Sequence, residues 1–248
     1  MKSVLQASVV HYPESDGKPM GETDLHRDEM VRHIELLRHY YRGQKVYVSG
    51  DLLVYYEQGN PKKFVVPDAF VVKGLAPKKR RIFRIWVERK TPDVIIETTS
   101  RKTRQVDLKT KPELYARLGV KEYFLFDPDR EYLDPPLLGY RLAGETYQPI
   151  PLEEDGSLIS EQLGLRLNDD SGRLMFVRLD NGHRLLTAEE RAQHEARARR
   201  AEAEARRAEA EARRAEAEAR RAEAAARQAA EAEVARLREE LARLRGQN

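Results

Sequence analysis

From Thr187 to the glycine at position 246 the chain carries no proline and no interior glycine, and it is built almost wholly of Ala, Arg and Glu. Such a stretch has no apolar face wide enough to enclose a globular interior, so it reads as helix, and the buried core must come from residues 1–186. Thr187-Ala188-Glu189-Glu190 has the T-x-x-E form of a capping box. The heptad RRAEAEA then repeats from Arg199, Arg206 and Arg213, with a near copy from Arg220. Alanines 201, 205, 208, 212, 215, 219, 222 and 226 recur at steps of four and three, a narrow seam, while Val234, Leu237, Leu241 and Leu244 form a wider one. One extra residue between Ala226 and Val234 shifts the phase of the two seams, a stutter that unwinds a supercoil locally. An alanine seam buries little area, so self-association is expected at the Leu-bearing end, and residues 187–248 are expected to be a helical, coiled-coil extension.

The chain has no cysteine, which excludes disulfides, thiolate metal sites and a cysteine nucleophile, and fits a reducing compartment. No apolar run approaches the roughly 20 residues of a membrane span, and Met1-Lys2-Ser3-Val4 leads into no signal-peptide core. A cytoplasmic protein without a membrane partner is the expectation. The net charge of +3 and pI near 9.0 are mildly basic. Their distribution matters more, because Lys73, Lys78, Lys79, Arg80, Arg81, Arg84, Arg89 and Lys90 crowd one segment. That cluster reads either as a solvated loop or as a rim for phosphates.

Within 1–186, a helix capped by Thr23 or Asp24 carries Met30, Ile34, Leu37 and Tyr41 on one face and stops at Gly43. Val46–Val48 and Leu52–Tyr56 read as strands, with a turn at Gly59-Asn60-Pro61. The run Phe64–Val72 reads as one strand disturbed at Pro67, and Ile82–Glu88 as another. Beyond Pro128, short runs separated by Gly144, Gly156 and Gly172 suggest a small antiparallel meander covering one flank of the sheet.

Between them lies PDVIIETTSRKTRQVDLKTKPELYARLGVKEYFLFDP, Pro92 to Pro128. Val94-Ile95-Ile96 suits a strand covered on both faces, and it delivers Glu97 to the strand end. A short helix with Leu114 and Leu118 on one face ends at Gly119, and Tyr123–Phe126 is the next strand. Strand, helix, strand places functional groups at the carboxyl ends of its strands. Asp68, beside Pro67, is a second carboxylate in an apolar run, and burying it bare would cost several kcal/mol unless it is paired or metal-bound. Two carboxylates from adjacent strands suit a hard divalent cation such as Mg²⁺, or Mn²⁺ in its place. With a nearby lysine they make the chemistry of phosphodiester hydrolysis. Equally, such acids serve as caps and salt-bridge partners.

PDAFVV, Pro67 to Val72, followed by the Pro92–Pro128 stretch, closely resembles the Uma-type restriction endonuclease family, a branch of the PD-(D/E)xK nuclease superfamily. The resemblance covers about residues 10 to 185. Its most specific part is the ordered series Glu97, Ser100, Thr103, Asp107, Lys111, Tyr115, Gly119, Tyr123 and Asp127-Pro128. It implies an α/β (α+β) fold with a restriction endonuclease-like mixed sheet flanked by helices, and Mg²⁺-dependent cleavage of DNA. On that pattern Asp68 and Glu97 are the metal-binding acids. The superfamily lysine, absent two residues after the glutamate where Thr99 stands, is displaced onto the helix as Lys111, and His26 matches the family's histidine.

This chain has Ser100-Arg101-Lys102-Thr103 where the family commonly has Ser-Pro-Ser-Thr. Pro112 fits if the helix begins near Thr110, with Thr110-x-x-Glu113 as a capping box and Lys111 at the helix start. Lys109 is then the fallback lysine. Glu88-Arg89-Lys90 is a rival E-x-K, Asp93 is expected to start its strand, and Asp107 is either a partner of Lys111 or a solvated acid. Tyr115 and Tyr123 read as packing residues. Ser100 is a supporting residue, and Lys78, Lys79, Arg80, Arg81, Arg101 and Lys102 are candidate DNA contacts. The leading expectation is a metal-dependent DNA endonuclease that forms homo-oligomers through its nuclease domain or its coil. The alternative is a nuclease-fold module that binds nucleic acid or protein without cutting.

Overall fold

The computed structural model of the protein describes residues 10–17 and 23–245. The Met1-Lys2-Ser3-Val4 segment lies outside that range, as do the side chains of Leu241 and Leu244. The chain divides into two compact units, Met1–Thr187 and Ala188–Asn248.

The first unit is built on a six-stranded sheet in the order β1-β4-β6-β7-β8-β9. These strands are β1 (Val46–Ser49), β4 (Ala69–Lys73), β6 (Val94–Thr98), β7 (Glu122–Phe126), β8 (Leu137–Ala143) and β9 (Thr146–Pro149). Only β6 and β7 run parallel, as their helical crossover requires, so the sheet is mixed. Alternation along the central strands feeds two cores. Val94, Ile96, Phe124 and Phe126 face Leu36 and Leu37 of α1 (Asp24–Tyr40), together with a separate three-stranded sheet of β10 (Leu158–Ser160), β11 (Leu165–Asp170) and β12 (Arg173–Arg178). Ile95, Tyr123 and Leu125 face Tyr115 and Val120 on the opposite side. Being covered twice is why the runs Val94–Ile96 and Tyr123–Phe126 are apolar without a break.

Thr23 caps α1, its side chain accepting the His26 N–H at 3.2 Å. The buried Glu29 accepts from His33 Nε2 and from the Leu174 N–H, both at 3.2 Å, while Arg32 donates to the Leu174 carbonyl at 2.8 Å. These polar ties pin α1 to β12.

Four expected features differ. The run Phe64–Val72 is two strands in different sheets, β3 (Phe64–Val65) and β4, because Pro67 cannot donate to a ladder and its carbonyl instead accepts the Asp51 N–H at 2.9 Å. The expected strand Ile82–Glu88 is strand only at β5 (Phe83–Arg84). It turns at once into the short helix α2 (Ile85–Glu88), ended by Arg89 at φ 53. Likewise Leu52–Tyr56 shrinks to β2 (Val54–Tyr55), which joins β3 and β5 in a small sheet. Of the expected meander, the first two runs are β8 and β9 and extend the main sheet; only β10 to β12 cover a flank.

The second unit is one α-helix, α4 (Ala188–Arg245), of 58 residues. Ion pairs run along it at i,i+4, as in Glu202–Arg206 and Glu209–Arg213, both at 2.6 Å. Among the described residues no helix is long and apolar enough to cross a membrane.

Candidate active site

Glu97 and Asp68 meet because of register. Ala69 pairs with Ile96 across the antiparallel β4–β6 ladder, so one step further Asp68 lies opposite Glu97, and both side chains fall on the sheet face that packs Tyr115. The pair is tied through the backbone: the Asp68 N–H donates to Glu97 Oε2 at 3.3 Å, and the Thr98 N–H to Asp68 Oδ2 at 2.7 Å. Gly50 permits this approach, since a Cβ there would lie 1.8 Å from the Asp68 carbonyl oxygen. No substitution could be absorbed without moving the aspartate.

Lys111 arrives from a helical segment that begins at Arg104, not at Thr110. Its residues Val106–Thr110 form a π-turn, closed by the Lys111 N–H donating to the Val106 carbonyl, and α3 (Lys111–Arg117) continues it. The expected capping box at Thr110 is absent: Thr110 is helical and caps nothing through its side chain. Pro112 is accommodated differently. In a π pattern the missing N–H would have met the Asp107 carbonyl, and the Tyr123 hydroxyl donates to that oxygen instead, at 2.9 Å. The turn therefore brings Asp107 and Lys111 to one side, where Lys111 Nζ lies 2.8 Å from Asp107 Oδ1 and 3.0 Å from Glu97 Oε2.

The remaining acceptors are also held. Tyr115 donates to Glu97 Oε1 at 2.7 Å, and Thr99 to Asp107 Oδ2 at 3.0 Å. Burial, then the negative charge of Glu97, keeps the Tyr115 phenol protonated far above its ordinary range, so it acts as a donor. His26, in the first turn of α1, places Nε2 at 3.4 Å from Asp68 Oδ2.

Three carboxylates thus share one ammonium, which leaves two uncompensated negative charges when all three are ionised and His26 is neutral. Burial pushes the Glu97 carboxyl up to about 8, helped by Asp68 and Asp107 and opposed by Lys111 and Tyr115. Burial acts on Asp68 in the same sense, but His26, Lys111 and the Thr98 N–H outweigh it and hold its carboxyl below the usual range. Burial lowers the pKa of Lys111, but Glu97, Asp107 and Asp68 outweigh it and hold the ammonium above the range of an ordinary lysine.

The donor set fits a hard divalent cation. Asp68 and Glu97 offer oxygen only, and the charge deficit equals that of one such ion. Three of the four lone-pair positions of Glu97 are taken, one of them by a cation already, the Lys111 ammonium. Among the described residues no three His, Cys, Asp or Glu side chains form a metal cage, so waters and substrate phosphates would complete the shell, as Mg²⁺ prefers. Access is through a cavity of about 270 Å³ lined by His26, Asp51, Asp68, Thr103, Asp107 and Lys111 among others. Glu97 lies behind that wall, 1% exposed at its side chain.

Other expected residues lie elsewhere. Ser100 bonds Thr103 through both its N–H and its hydroxyl and starts the turn into the helix. Lys109 points to solvent, and Arg101 and Lys102 are exposed on the turn beside Thr103. Glu88 is on α2, bound by both arms of Arg80 at 2.9 and 3.0 Å, which removes it as a rival metal ligand. Arg80, its side chain 4% exposed, also lies 4.2 Å over the Tyr47 ring, so it is scaffold and not a free DNA contact. Arg81 pairs with Glu14. Lys78 and Lys79 are exposed but line a different cavity. Asp93 takes the Lys73 N–H and Lys121 at the far end of β6. Tyr115 and Tyr123, read from the sequence as packing residues, are polar members of the site, and so is Thr99, noted there only as standing where the superfamily lysine is absent.

A family model described as "Putative restriction endonuclease" (Uma2) matches residues 11–170. A comparison with curated proteins gives no match. Four chains of solved structures match. Among them is a crystal structure described as "a putative nuclease belonging to DUF820" from Anabaena variabilis, with 18% identity and a TM-score of 0.44, covering 59% of this chain and 76% of that one.

Proposed function

From the Uma2 restriction endonuclease family, to which this chain belongs, we propose that the protein is a Mg²⁺-dependent DNA endonuclease whose site is Asp68, Glu97 and Lys111. One observation carries the reading: two acids 29 residues apart in the chain lie opposite each other in register, with a lysine fixed on one of them. A divalent ion between these acids would supply charge neutralisation, polarisation of the scissile phosphate and a more acidic water. Lys111, clamped between Glu97 and Asp107, offers a fixed positive charge where negative charge grows on the phosphate oxygens. Thr99 holds Asp107, and Tyr115 holds Glu97, so both acids are themselves fixed around the Lys111 ammonium. His26 and the Thr98 N–H fix Asp68 at Oδ2.

The test is nicking of supercoiled plasmid by the full chain with Mg²⁺ or Mn²⁺, beside Glu97→Gln. Cutting by the native protein alone supports the assignment; equal cutting by both, or by neither, removes it. The second reading, a module that binds without cutting, is favoured by the closure of Glu97 behind Lys111. It predicts nucleic-acid or protein binding that neither ion changes. Self-association through the Leu-bearing end of α4 belongs to the same proposal, and sedimentation of the chain truncated after Glu233 tests it.

A further inference from the structure

Alongside the Asp68 cavity runs a second depression of about 550 Å³, on the open edge of the sheet along β1. Its walls hold Arg38, Arg42, Lys78, Lys79 and Arg80, and no carboxylate. The cations divide by role. Arg80 is consumed by Glu88 and Tyr47, and its Nη1 donates to the Ala76 and Lys78 carbonyls at 3.2 and 3.0 Å, so it fixes the loop that presents the two lysines. Arg38 spends Nε on the Val48 carbonyl of the strand edge at 3.0 Å. Arg42, Lys78 and Lys79 are exposed and make no ion pair with a described residue. An acid-free groove whose loop is tied down from beneath is shaped for an extended polyanion.

The two depressions have lining residues that are near neighbours in the chain. Ser49 lines the groove and Asp51 lines the Asp68 cavity, with only Gly50 between them. Two residues span at most about 7 Å, and the four residues of β1 run a further 13 Å or so. One DNA strand rises about 3.4 Å per nucleotide. Resting on the endonuclease reading above, we infer that the β1-edge groove binds the sugar-phosphate backbone of the substrate duplex, taking the phosphates about two to six nucleotides to one side of the cleaved bond. Only phosphate is contacted there, so the groove positions the duplex and reads no sequence.

The test uses the full chain with Arg42, Lys78 and Lys79 all changed to Ala, Arg80 being left in place because it is scaffold, and with folding checked by circular dichroism. Binding of a 5′-labelled duplex of about 30 base pairs is followed by anisotropy in metal-free buffer across salt concentrations. Loss of three phosphate contacts flattens the slope of log K against log salt by about 2.7 and weakens binding roughly 100-fold at 0.1 M salt. Neutral methylphosphonates at the second to sixth positions from the mapped cut weaken binding by the native protein and leave the variant unaffected. Native binding and salt slope in the variant, with the native protein still cutting, overturn the groove and leave the endonuclease reading standing. Interference outside those positions does the same. Displacement of DNA from the native protein, but not from the variant, by equimolar poly-glutamate moves the groove to an acidic protein partner and overturns it too. A native protein that neither binds nor cuts duplex removes both.

Discussion

Replacing Glu97 by Gln separates burial from charge at the centre of the site. In the folded protein the Glu97 carboxyl stands at about 8, against an ordinary value of 4.5. That gap, at about 1.4 kcal/mol per pH unit, corresponds to on the order of 4 to 5 kcal/mol. Between those pH values the folded state holds a proton that the unfolded chain has released. The contribution is therefore fully present below about pH 4.5 and is lost as pH rises through 8. Glutamine copies the protonated form and has nothing to release. It accepts at one atom only, so of the Tyr115 and Asp68 donors one is left without its oxygen, at a cost of about 1 to 2 kcal/mol. In EDTA the Gln variant should be slightly less stable than the native protein at pH 5 and more stable by about 2 to 3 kcal/mol at pH 8. Urea unfolding followed by Trp86, the single tryptophan and a member of the first unit, reads that unit without the tail. A difference between the two proteins that stays constant from pH 5 to 8 would refute the reasoning.

Added Mg²⁺ should narrow this gap at pH 8, raising the melting temperature of the native protein and leaving Glu97→Gln unmoved; the gain is about 1.4 kcal/mol at ten times Kd, and about 4 kcal/mol at a thousand times Kd, which reverses the order. Lys111→Met should lower plasmid nicking by roughly 100-fold or more at saturating Mg²⁺, whereas Lys109→Ala should nick at the native rate. Tyr115→Phe deprives Glu97 Oε1 of its donor and should cost about 1 to 3 kcal/mol in a urea melt. Asp127→Ala should destabilise the 127–133 loop, whose Arg130, Tyr132 and Leu133 N–H groups it accepts, by about 1 to 3 kcal/mol without changing the nicking rate.

The mixed sheet was legible where covering on both faces makes a strand uniformly apolar, as at Val94–Ile96, and the two acids were legible because an ionisable group in such a run needs a partner. The helix start was not. A proline in a helical pattern is most simply placed in a first turn, and nothing local announces that Tyr123, eleven positions on, supplies the donor that lets a π-turn pass through Pro112. Thr99 and Tyr115 were hidden for a related reason: their hydroxyls matter only through what lies opposite in space. The basic segment misled by summation. Arg80 and Lys79 are neighbours with the same charge, yet one is spent on Glu88 beneath the surface and the other faces solvent, and only the fold distinguishes them.

Gly50 gives the chain an unusual vulnerability. At positions 43 and 59 a glycine is needed only for its backbone angle, and space is open around it, so asparagine is a tolerable replacement. At position 50 the demand is for emptiness. One methyl group would displace the Asp68 carbonyl and with it the spacing of the acidic pair, so an exhaustive mutational scan should find activity erased by alanine at a residue that touches neither ion nor phosphate.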